Sequence, residues 1–337
     1  MIRVKKEGVI IRQADVDFES EAVLNPAVIK VDDHIEMFYR AIRKGNYSTI
    51  GYCKLDTPLT LAGRWDKPLL SPEHEYEKQG MEDPRIVKID GLYYITYVAF
   101  DGKNALGALA TSTDLLTFER KGIIVPQLTC TEFDELAKNN SDIIGRYRQD
   151  YNSPDTILMD KDVVFYPRRI NGKLYFMHRI KPDMQLAAID SLDDLTPQFW
   201  EDYIINLDQN VLLTPKYEHE INYVGGGCPP IETTNGWLVI YHGVDNDMRY
   251  SACAALFDLD DPRKEIARLP YALFSPDQEY ELSGDVENVC FPTGAIVEGD
   301  TLYIYYGAGD DKIACASVNM PALVAELELH GFPQSLA

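Results

Sequence analysis

The first residues that could do chemistry are an acidic pair followed by a proline and an arginine, Glu82-Asp83-Pro84-Arg85. Neighbouring carboxylates can transfer protons or accept hydrogen bonds from sugar hydroxyls. They directly precede a predicted hairpin, whose two strands flank the turn Asp90-Gly91. Because proline fixes its own φ and restricts the residue before it, we expect Asp83 to be extended and the pair to be held rigidly at a strand entrance. A surface turn with an Asp–Arg ion pair is the alternative interpretation.

The hairpin around Asp90 is one of five similar units in the chain. Each unit begins with turn-forming residues, continues with a strand rich in Tyr, Ile and Val, and is followed by a strand of small residues. The units start at Asp32, Asp90, Asn171, Asn235 and Gly299, and a proline precedes each start. Because one unit alone cannot bury both of its faces, the repeats predict an all-β fold, a five-bladed β-propeller formed by a single domain over residues 1–337. A β-sandwich with chance similarity between strands is the alternative.

Helical patterns are sparse between these units. A polar insertion at about residues 120–160 contains a predicted amphipathic helix over residues 131–138, with a threonine as its cap. Residues 196–203 predict a second short helix, and about residues 321–330 predict a C-terminal helix that docks on the propeller. Insertions of this kind often form lids or subunit contacts, and the sequence leaves both roles open.

The composition excludes several classes of partner. Of 337 residues, 32 are basic and 54 are acidic, which gives a net charge of -22. Such a surface repels nucleic acid and anionic membranes, so neither is expected as a partner. The chain shows no signal-peptide pattern and no membrane-spanning apolar run, and its six cysteines form no C-x-x-C pair. We therefore expect a cytoplasmic protein with buried free thiols. No metal, phosphate-loop or nucleophile-elbow signature is present, so we expect no metal site.

A propeller would bring residues at equivalent positions of the five units together around one axis. Two sets of charged residues occupy such positions, before the prolines and near the ends of the second strands. The carboxylates, which could transfer protons or bind sugar hydroxyls, are Glu82, Asp83, Asp162, Asp285 and Asp310. The cations, which could bind an anion such as phosphate, are Arg40, Arg85, Lys161, Arg179 and His242. His178 lies at the unit position of His242, where a core histidine is an equally good interpretation, and Trp237 could stack on a sugar.

The ordered motifs of the chain resemble one enzyme family. They are GMEDPR at residues 80–85, KDVVFYP at 161–167, HR at 178–179, GGGCPPI at 225–231, GWLVIYHG at 236–243, NVCFPTG at 288–294 and YYGA at 305–308. The likeness covers roughly residues 20–320, and the motifs are similar to those of glycoside hydrolase family 130.

This resemblance implies a five-bladed propeller and a reaction. The reaction is the inverting phosphorolysis of β-mannosides, of mannooligosaccharide or mannosyl-glucose type, to α-mannose 1-phosphate and a shortened acceptor sugar. Asp83 would be the general acid, acting through a hydroxyl of the mannosyl unit. Inorganic phosphate would be the nucleophile and co-substrate, so neither a catalytic base nor a further cofactor is expected. Phosphate would be held by the matching residues Lys161, Arg179, His242 and Tyr250.

The remaining site residues would bind the sugar. By resemblance, the mannose subsite would consist of Asn25, Arg40, Arg85 and Asp310. The repeat positions add three further acids as substrate-binding residues, Glu82, Asp162 and Asp285. The part of the insertion at about residues 130–155 is expected to contribute to recognition of the acceptor.

Two other functions are left open by the sequence. Some members of the family are inverting β-mannosidases, which lack the cationic set and use a second carboxylate to activate water. The cations present here favour phosphate, although the chain has Asn222, Tyr223 and Val224 where many phosphorylases carry a basic residue before the glycine run. The second of these two functions is that of a sugar-binding propeller without catalysis. Self-association into a homo-oligomer is also left open.

Overall fold

The chain folds almost entirely into β-strands. The computed structural model describes residues 1–147 and 156–331. The strands in this part of the chain are β1 (Lys5–Ile11), β2 (Ala22–Val31), β3 (His34–Arg43), β4 (Tyr47–Thr57), β5 (Thr60–Arg64), β6 (Gly80–Ile89), β7 (Leu92–Phe100), β8 (Ala105–Ser112), β9 (Glu119–Ile123), β10 (Lys161–Phe165), β11 (Leu174–Arg179), β12 (Met184–Ile189), β13 (Val211–Leu213), β14 (Tyr223–Gly226), β15 (Ile231–Thr233), β16 (Gly236–Val244), β17 (Tyr250–Phe257), β18 (Glu265–Arg268), β19 (Cys290–Glu298), β20 (Thr301–Ala308) and β21 (Lys312–Asn319).

Helices are short and lie between the strands or at the C-terminal end. The α-helices are α1 (Cys130–Ala137), α2 (Ser141–Tyr147), α3 (Pro197–Ile205), α4 (Glu279–Leu282) and α5 (Met320–Leu329). Single 3₁₀ turns occupy Asp17–Glu19, Glu75–Glu77, Leu192–Asp194, Leu207–Asn210 and Glu218–Glu220. The prediction of an all-β fold with few helices is confirmed. Within the described residues no helix is long and apolar enough to cross a membrane.

The strands pair almost entirely in antiparallel order. One sheet has the order β1-β21-β20-β19, a second β10-β11-β12-β13, and a third β14-β16-β17-β18, with β15 also paired to β16. The largest has the order β2-β3-β4-β6-β7-β8-β9, with β5 paired to β4. Its two antiparallel halves are joined by a single parallel pair, Ser48 with Gly80. The strand nearest the N-terminus, β1, pairs with the last strand, β21, so the two ends of the described chain meet in one sheet.

The five predicted hairpins are present. They are β2–β3, β6–β7, β10–β11, β15–β16 and β19–β20, and each is followed by an antiparallel strand that is mostly buried. Small residues are frequent in three of these following strands, β8, β17 and β21. The turn at Asp90 and Gly91 has φ values of 50° and 84°, the left-handed conformation that a tight hairpin turn requires. The longer strands of these hairpins are buried along most of their length, which shows that both of their faces are covered.

A buried group of tyrosine, glutamate and cation recurs behind the second strands. The tyrosine hydroxyl donates to a glutamate that is 0–1% exposed, at 2.5–2.9 Å. A cation then pairs with the same carboxylate at 2.5–3.6 Å. A buried carboxylate is tolerated only when its charge is compensated and its oxygens are bonded. The groups are Tyr39–Glu19–Arg64, Tyr97–Glu77–Arg120, Tyr241–Glu220–Arg268 and Tyr306–Glu281–Lys6.

His178 takes the place of the tyrosine in β11. Its ring nitrogens lie 2.8 Å from Asp160 Oδ2 and 2.7 Å from the Tyr203 hydroxyl, and the side chain is fully buried. It is therefore a satisfied core histidine. The predicted equivalence of His178 and His242 is wrong, because Tyr241 is the residue of β16 that reaches the buried glutamate. The two-residue turn before β16 is Thr234-Asn235, one residue earlier than the predicted start of that unit, whereas the turn before β11 is Asn171-Gly172 as predicted. His242 is therefore equivalent to Arg179 and faces the opposite side from His178.

The insertion is only partly polar. Helix α1 begins after Thr129, which accepts a hydrogen bond from the Glu132 backbone in a capping box, so the cap is Thr129 and not Thr131 as predicted. Phe133 and Tyr147 of the insertion are buried in the same cluster as Trp200 of α3. This part of the insertion therefore belongs to the core. The expected contribution of about residues 130–155 to acceptor recognition stays a prediction, and residues 148–155 of that range lie outside the described residues. Helices α3 and α5 confirm the other two helix predictions, with Leu323 and Leu327 of α5 buried.

Candidate active site

Three polar residues enter one central region from bulges in three first strands. Asn25, Asp83 and Asp162 have φ values of 49°, 49° and 58°, and each lies where the register of its strand shifts against the next strand. Asparagine and aspartate tolerate this left-handed conformation better than most residues. The prediction that Asp83 is extended at a strand entrance is wrong: it lies inside β6, where the bulge turns its side chain away from the sheet. Backbone strain of this kind is common at functional sites.

The first wall of the site is acidic. The side-chain amide of Asn25 donates to Asp83 Oδ1 at 2.7 Å. The Arg40 guanidinium donates to Glu82 at 2.7 Å and lies 3.5 Å from Asp83 Oδ1. Because Asp83 is only 6% exposed, these two neighbours fix the position of its carboxylate.

Three groups on this wall have raised pKa values. Burial, together with the nearby charges of Asp83, Asp285 and Glu82, raises the pKa of Asp310 to about 6, against the effect of Arg40. Burial also raises the pKa of Glu82, against the effect of Arg40. Burial disfavours the charge of Arg40 itself, but Glu82 and Asp83 outweigh it and raise the Arg40 pKa. The wall therefore holds a permanent cation among carboxylates that retain protons more readily than usual.

The second wall is cationic and is built on one buried carboxylate. Asp162 pairs with Arg179 Nε at 2.5 Å, and Arg85 and His242 lie 3.9 Å and 3.8 Å from its oxygens. Burial opposes the charge of Asp162, but Arg179 and then its other cationic neighbours hold its pKa well below the usual range. Burial lowers the pKa of His242 to about 3, so this histidine is neutral near pH 7.

Several buried polar atoms on the cationic wall have no hydrogen-bond partner among the described residues. They are Arg179 Nη1, which is a donor, and both ring nitrogens of His242, one of which donates and the other accepts in the neutral ring. Lys161 lies opposite Arg179 in the register of β10 and β11, so the two cations are neighbours on this wall. The hydroxyls of Tyr223 and Tyr250 are hydrogen-bonded to each other. Because a buried polar group without a partner costs free energy, this arrangement is typical of a site that binds an anionic ligand.

The two walls face each other across a cavity of about 190 Å³. Its lining combines both charged sets with a few apolar and aromatic side chains, a composition typical of small-ligand sites. The lining residues are Asn25, Arg40, Asp83, Met159, Lys161, Arg179, Lys181, Tyr223, His242, Tyr250, Val286, Val289, Phe291 and Asp310.

Eight of the twelve residues predicted from the sequence line this cavity. They are Asn25, Arg40, Asp83, Lys161, Arg179, His242, Tyr250 and Asp310. Glu82 and Asp162 lie behind it, where they bond Arg40 and Arg179.

Two other predicted residues have different positions. Arg85 is 2% exposed and donates to the backbone oxygens of Asp83, Gly226 and Gly227 at 2.6–3.2 Å, so it braces the site from behind. Asp285 is exposed and lines a separate surface depression.

The glycine run at residues 225–227 has a packing role. A Cβ on Gly225 would collide with the His242 ring and Asp162, and the carbonyls of Gly226 and Gly227 accept hydrogen bonds from Arg85. The lack of side chains in this run therefore allows its backbone to lie close to the site's own side chains. Trp237 is fully buried against Tyr166 and is not available for a sugar.

Six residues that line the cavity were not predicted from the sequence, and Lys181 and Tyr223 are the most polar of them. Lys181 follows Arg179 by two residues, and alternation along the extended chain places both on the same side. That spacing was the signal that could have identified Lys181. Val289 and Phe291 belong to the motif NVCFPTG but are apolar, and Met159 and Val286 lie in no motif, so that only the fold brings these four residues to the cavity.

A cluster elsewhere has the residue types of a metal site. One ligand atom each of His219, Glu220 and Cys253 lies within 4.8 Å of the others. The Glu220 carboxylate, however, already accepts from Tyr241 at 2.6 Å and pairs with Arg268 at 3.0 Å. These bonds compensate its charge, so the cluster is explained as part of the buried group described above.

Fold and cavity together define an all-β protein whose polar central site pairs carboxylates with an anion-attracting wall. A family model described as beta-1,4-mannooligosaccharide phosphorylase matches residues 6–328. The chain belongs to this family, glycoside hydrolase family 130. The predicted family is thus confirmed over almost the whole chain.

Individual relatives agree with the family assignment. The chain is 33% identical to 1,2-beta-oligomannan phosphorylase of Thermoanaerobacter sp. (strain X514), covering 95% of this chain and 98% of the relative. It is 31% identical to beta-1,2-mannobiose phosphorylase of the same organism, covering 94% and 97%. The fold is similar to that of beta-1,2-mannobiose phosphorylase from Listeria innocua in its beta-1,2-mannobiose complex, with a TM-score of 0.75, 23% identity and coverage of 97% and 100%.

Proposed function

We propose that this protein is an inverting phosphorylase of β-mannosides and that its substrates are β-1,2-linked. The observation that carries the proposal is the cavity with two walls, in which carboxylates face a cationic wall whose Arg179 Nη1 and His242 ring nitrogens are buried and have no hydrogen-bond partner among the described residues. A proton donor and an anion site on opposite sides of one sugar are what phosphorolysis requires. The β-1,2 linkage is taken from the two relatives that are similar over nearly their whole length.

Asp83 is the proposed general acid. Its fixed carboxylate lies on the acidic wall with Asn25 and Arg40, and these residues, together with Asp310, are proposed to hold the hydroxyls of the mannosyl unit. The proton of Asp83 reaches the leaving oxygen through one of these hydroxyls. Glu82 and Arg85 orient the acidic wall rather than touch the sugar.

Phosphate is the proposed nucleophile. Lys161, Arg179, His242 and Tyr250 hold it on the opposite wall, and Asp162 positions Arg179 from behind. A phosphate oxygen attacks C1 as the bond from C1 to the acceptor oxygen breaks, which inverts the β configuration to α. The acceptor leaves with the proton from Asp83, and the proton of hydrogen phosphate restores Asp83. Because phosphate is already an anion, no catalytic base and no cofactor is needed.

The architecture around the site belongs to the same proposal. We propose that the antiparallel units form a five-bladed propeller in a single domain, with β1 pairing with β21 to join the two chain ends. This proposal is supported by the five hairpins and by the convergence of equivalent strand positions on one cavity. All six cysteines are free and buried, which is in keeping with the proposed cytoplasmic location. The proposed function does not depend on self-association or on a role of about residues 130–155 in acceptor recognition.

The linkage is tested with a panel of disaccharides at fixed phosphate. β-1,2-Mannobiose, β-1,4-mannobiose and β-1,4-mannosyl-glucose are compared by their kcat/KM for phosphorolysis, and proton NMR reports the configuration of the sugar phosphate at C1. We expect α-mannose 1-phosphate with the highest kcat/KM for the β-1,2 substrate. Preference for a β-1,4 substrate would refute the linkage, and a β product would refute inversion.

A further inference from the structure

Lys181 is a cavity residue with no established role. It follows β11 and lines the cavity beside Arg179 and Lys161. We propose that Lys181 is an additional phosphate-binding residue and that its charge sets the affinity of the enzyme for phosphate. The inference rests on the proposed phosphorolysis and extends it to a residue that neither the motifs nor the family resemblance singles out.

The position of the lysine is fixed by an aromatic ring. The Lys181 ammonium lies 3.7 Å from the centroid of the Tyr223 ring, and the Arg179 guanidinium lies 5.2 Å from the same centroid. The Tyr223 hydroxyl is hydrogen-bonded to that of Tyr250, which holds the ring at the cavity wall. A cation above the face of a tyrosine is attracted by the ring's electrons, so Lys181 is held near the other cations despite their repulsion.

The charge of Lys181 is otherwise uncompensated within the described residues. No carboxylate of that part of the chain forms an ion pair with it, although the protein carries 54 acidic residues and a net charge of -22. Asp162, the carboxylate of this wall, pairs with Arg179 instead. A structural lysine would find a carboxylate or water, whereas a lysine grouped with Arg179 and Lys161 needs an anion to compensate the combined charge.

The same surroundings make the charge of Lys181 sensitive to pH. Burial, together with the charges of Arg179 and Lys161, lowers its pKa to about 7, against the effect of Asp162. Tyr223 and the neutral His242 also face it, and neither changes charge near pH 7 because burial raises the pKa of Tyr223 and lowers that of His242. In the free enzyme the lysine therefore loses its charge as the pH rises through about 7, and anion affinity falls with it.

The test compares Lys181→Met, which keeps the length but removes the charge, with Lys181→Arg, which keeps a charge that does not titrate. The control is Lys88→Met, because Lys88 lies 4.6 Å from the centroid of the Tyr93 ring, outside the cavity. Initial rates with β-1,2-mannobiose give separate KM values for phosphate and mannobiose. We expect Lys181→Met to raise the phosphate KM about tenfold to a hundredfold, as the loss of one charged contact predicts. The mannobiose KM should stay unchanged, and Lys181→Arg should restore most of the phosphate affinity.

A second measurement separates the role of the lysine from turnover. Calorimetric titration with inorganic phosphate gives the dissociation constant for each variant without any reaction. Sulfate, whose charge is constant between about pH 6 and about pH 8.5, is titrated across that range to isolate groups on the protein. We expect sulfate affinity to fall as the pH rises in the wild type, and to be nearly constant in Lys181→Arg.

Each outcome decides between distinct claims. An unchanged phosphate KM and dissociation constant in Lys181→Met would overturn the inference, as would an equal rise in both KM values with a lowered melting temperature, which indicates a structural role. If the wild type releases free mannose at the same rate with and without phosphate, phosphorolysis fails. Calorimetry still decides whether Lys181 holds an anion in that case.

Discussion

Replacing Asp83 by asparagine removes the proposed general acid with the least disturbance of its surroundings. The substitution keeps the shape of the side chain and keeps an oxygen that can accept the 2.7 Å hydrogen bond from Asn25. Arg40 retains its bond to Glu82 at 2.7 Å, so the acidic wall stays assembled. Folding and mannoside binding should therefore change little, and the loss should fall on the chemical step.

The expected loss follows from the role of a proton donor in the transition state. General acid catalysis contributes about 10²–10⁴-fold in rate, which corresponds to about 3–5 kcal/mol of the activation barrier. Because the leaving oxygen of β-1,2-mannobiose is a poor leaving group without a proton, kcat should fall by this factor. The KM values for phosphate and mannobiose should move much less.

The assay compares two substrates with different need for protonation. Phosphorolysis of β-1,2-mannobiose is measured beside that of a dinitrophenyl β-mannoside, whose leaving group departs as an anion. Asp83→Asn should be severely impaired on the first and much less on the second. Asp285→Asn is the control, because Asp285 is an exposed acid that the sequence predicted for the site and the structure places outside the cavity. Equal losses on both substrates, or a loss below about tenfold on mannobiose, would refute the assignment of Asp83.

Three further substitutions test other parts of the account. Arg179→Gln removes a cation of the phosphate wall and should raise the phosphate KM at least about tenfold, with little change in the mannobiose KM. Asp310→Asn removes a partly buried acid whose pKa is raised to about 6. As the pH rises from about 4 to about 6, the wild type should lose up to ~3 kcal/mol of folding stability, and the variant should not. Lys6→Met leaves the buried Glu281 without its cation at 2.5 Å and should cost about 3–5 kcal/mol of stability in urea unfolding.

Each of these three predictions can be contradicted by a specific result, and the third also has a control variant in the same chain. An unchanged phosphate KM in Arg179→Gln would show that the cationic wall does not hold phosphate. The Asp310 prediction is wrong if wild type and variant show the same pH dependence of unfolding, because a raised pKa stabilises the fold only below it. Lys5→Met is the control for Lys6, since Lys5 is 73% exposed and its pair with Glu7 is superficial, so it should be nearly neutral.

The sequence predicted the hairpins because their signals are local. Turn residues such as Asp90 and Gly91 and the enrichment of the following strands in Tyr, Ile and Val are readable without knowledge of the neighbouring strands. The five repeats also made most of the cavity residues predictable, because these residues occupy equivalent positions in the units. Arg40, Arg179 and His242, each one residue beyond the buried Tyr39, His178 and Tyr241, line the cavity for this reason.

The remaining features depend on contacts between distant segments. The bulge that gives Asp83 its φ of 49° is a shift in register against β7, which no local pattern encodes. The one-residue shift at β16 made His242 look equivalent to His178, although only one of them faces the cavity. Arg85 and Asp285 have the right chemistry for a site, and only the packing shows that one is buried behind it and the other exposed beside a different depression.

The most direct test of phosphorolysis is the product formed from β-1,2-mannobiose with and without inorganic phosphate. Mannose 1-phosphate and free mannose are quantified separately, with substrate and enzyme held constant. The proposed function predicts mannose 1-phosphate and one equivalent of mannose from the acceptor side when phosphate is present, and almost no turnover when it is absent. Two equivalents of mannose at the same rate in both conditions would contradict it and identify the protein as a β-mannosidase.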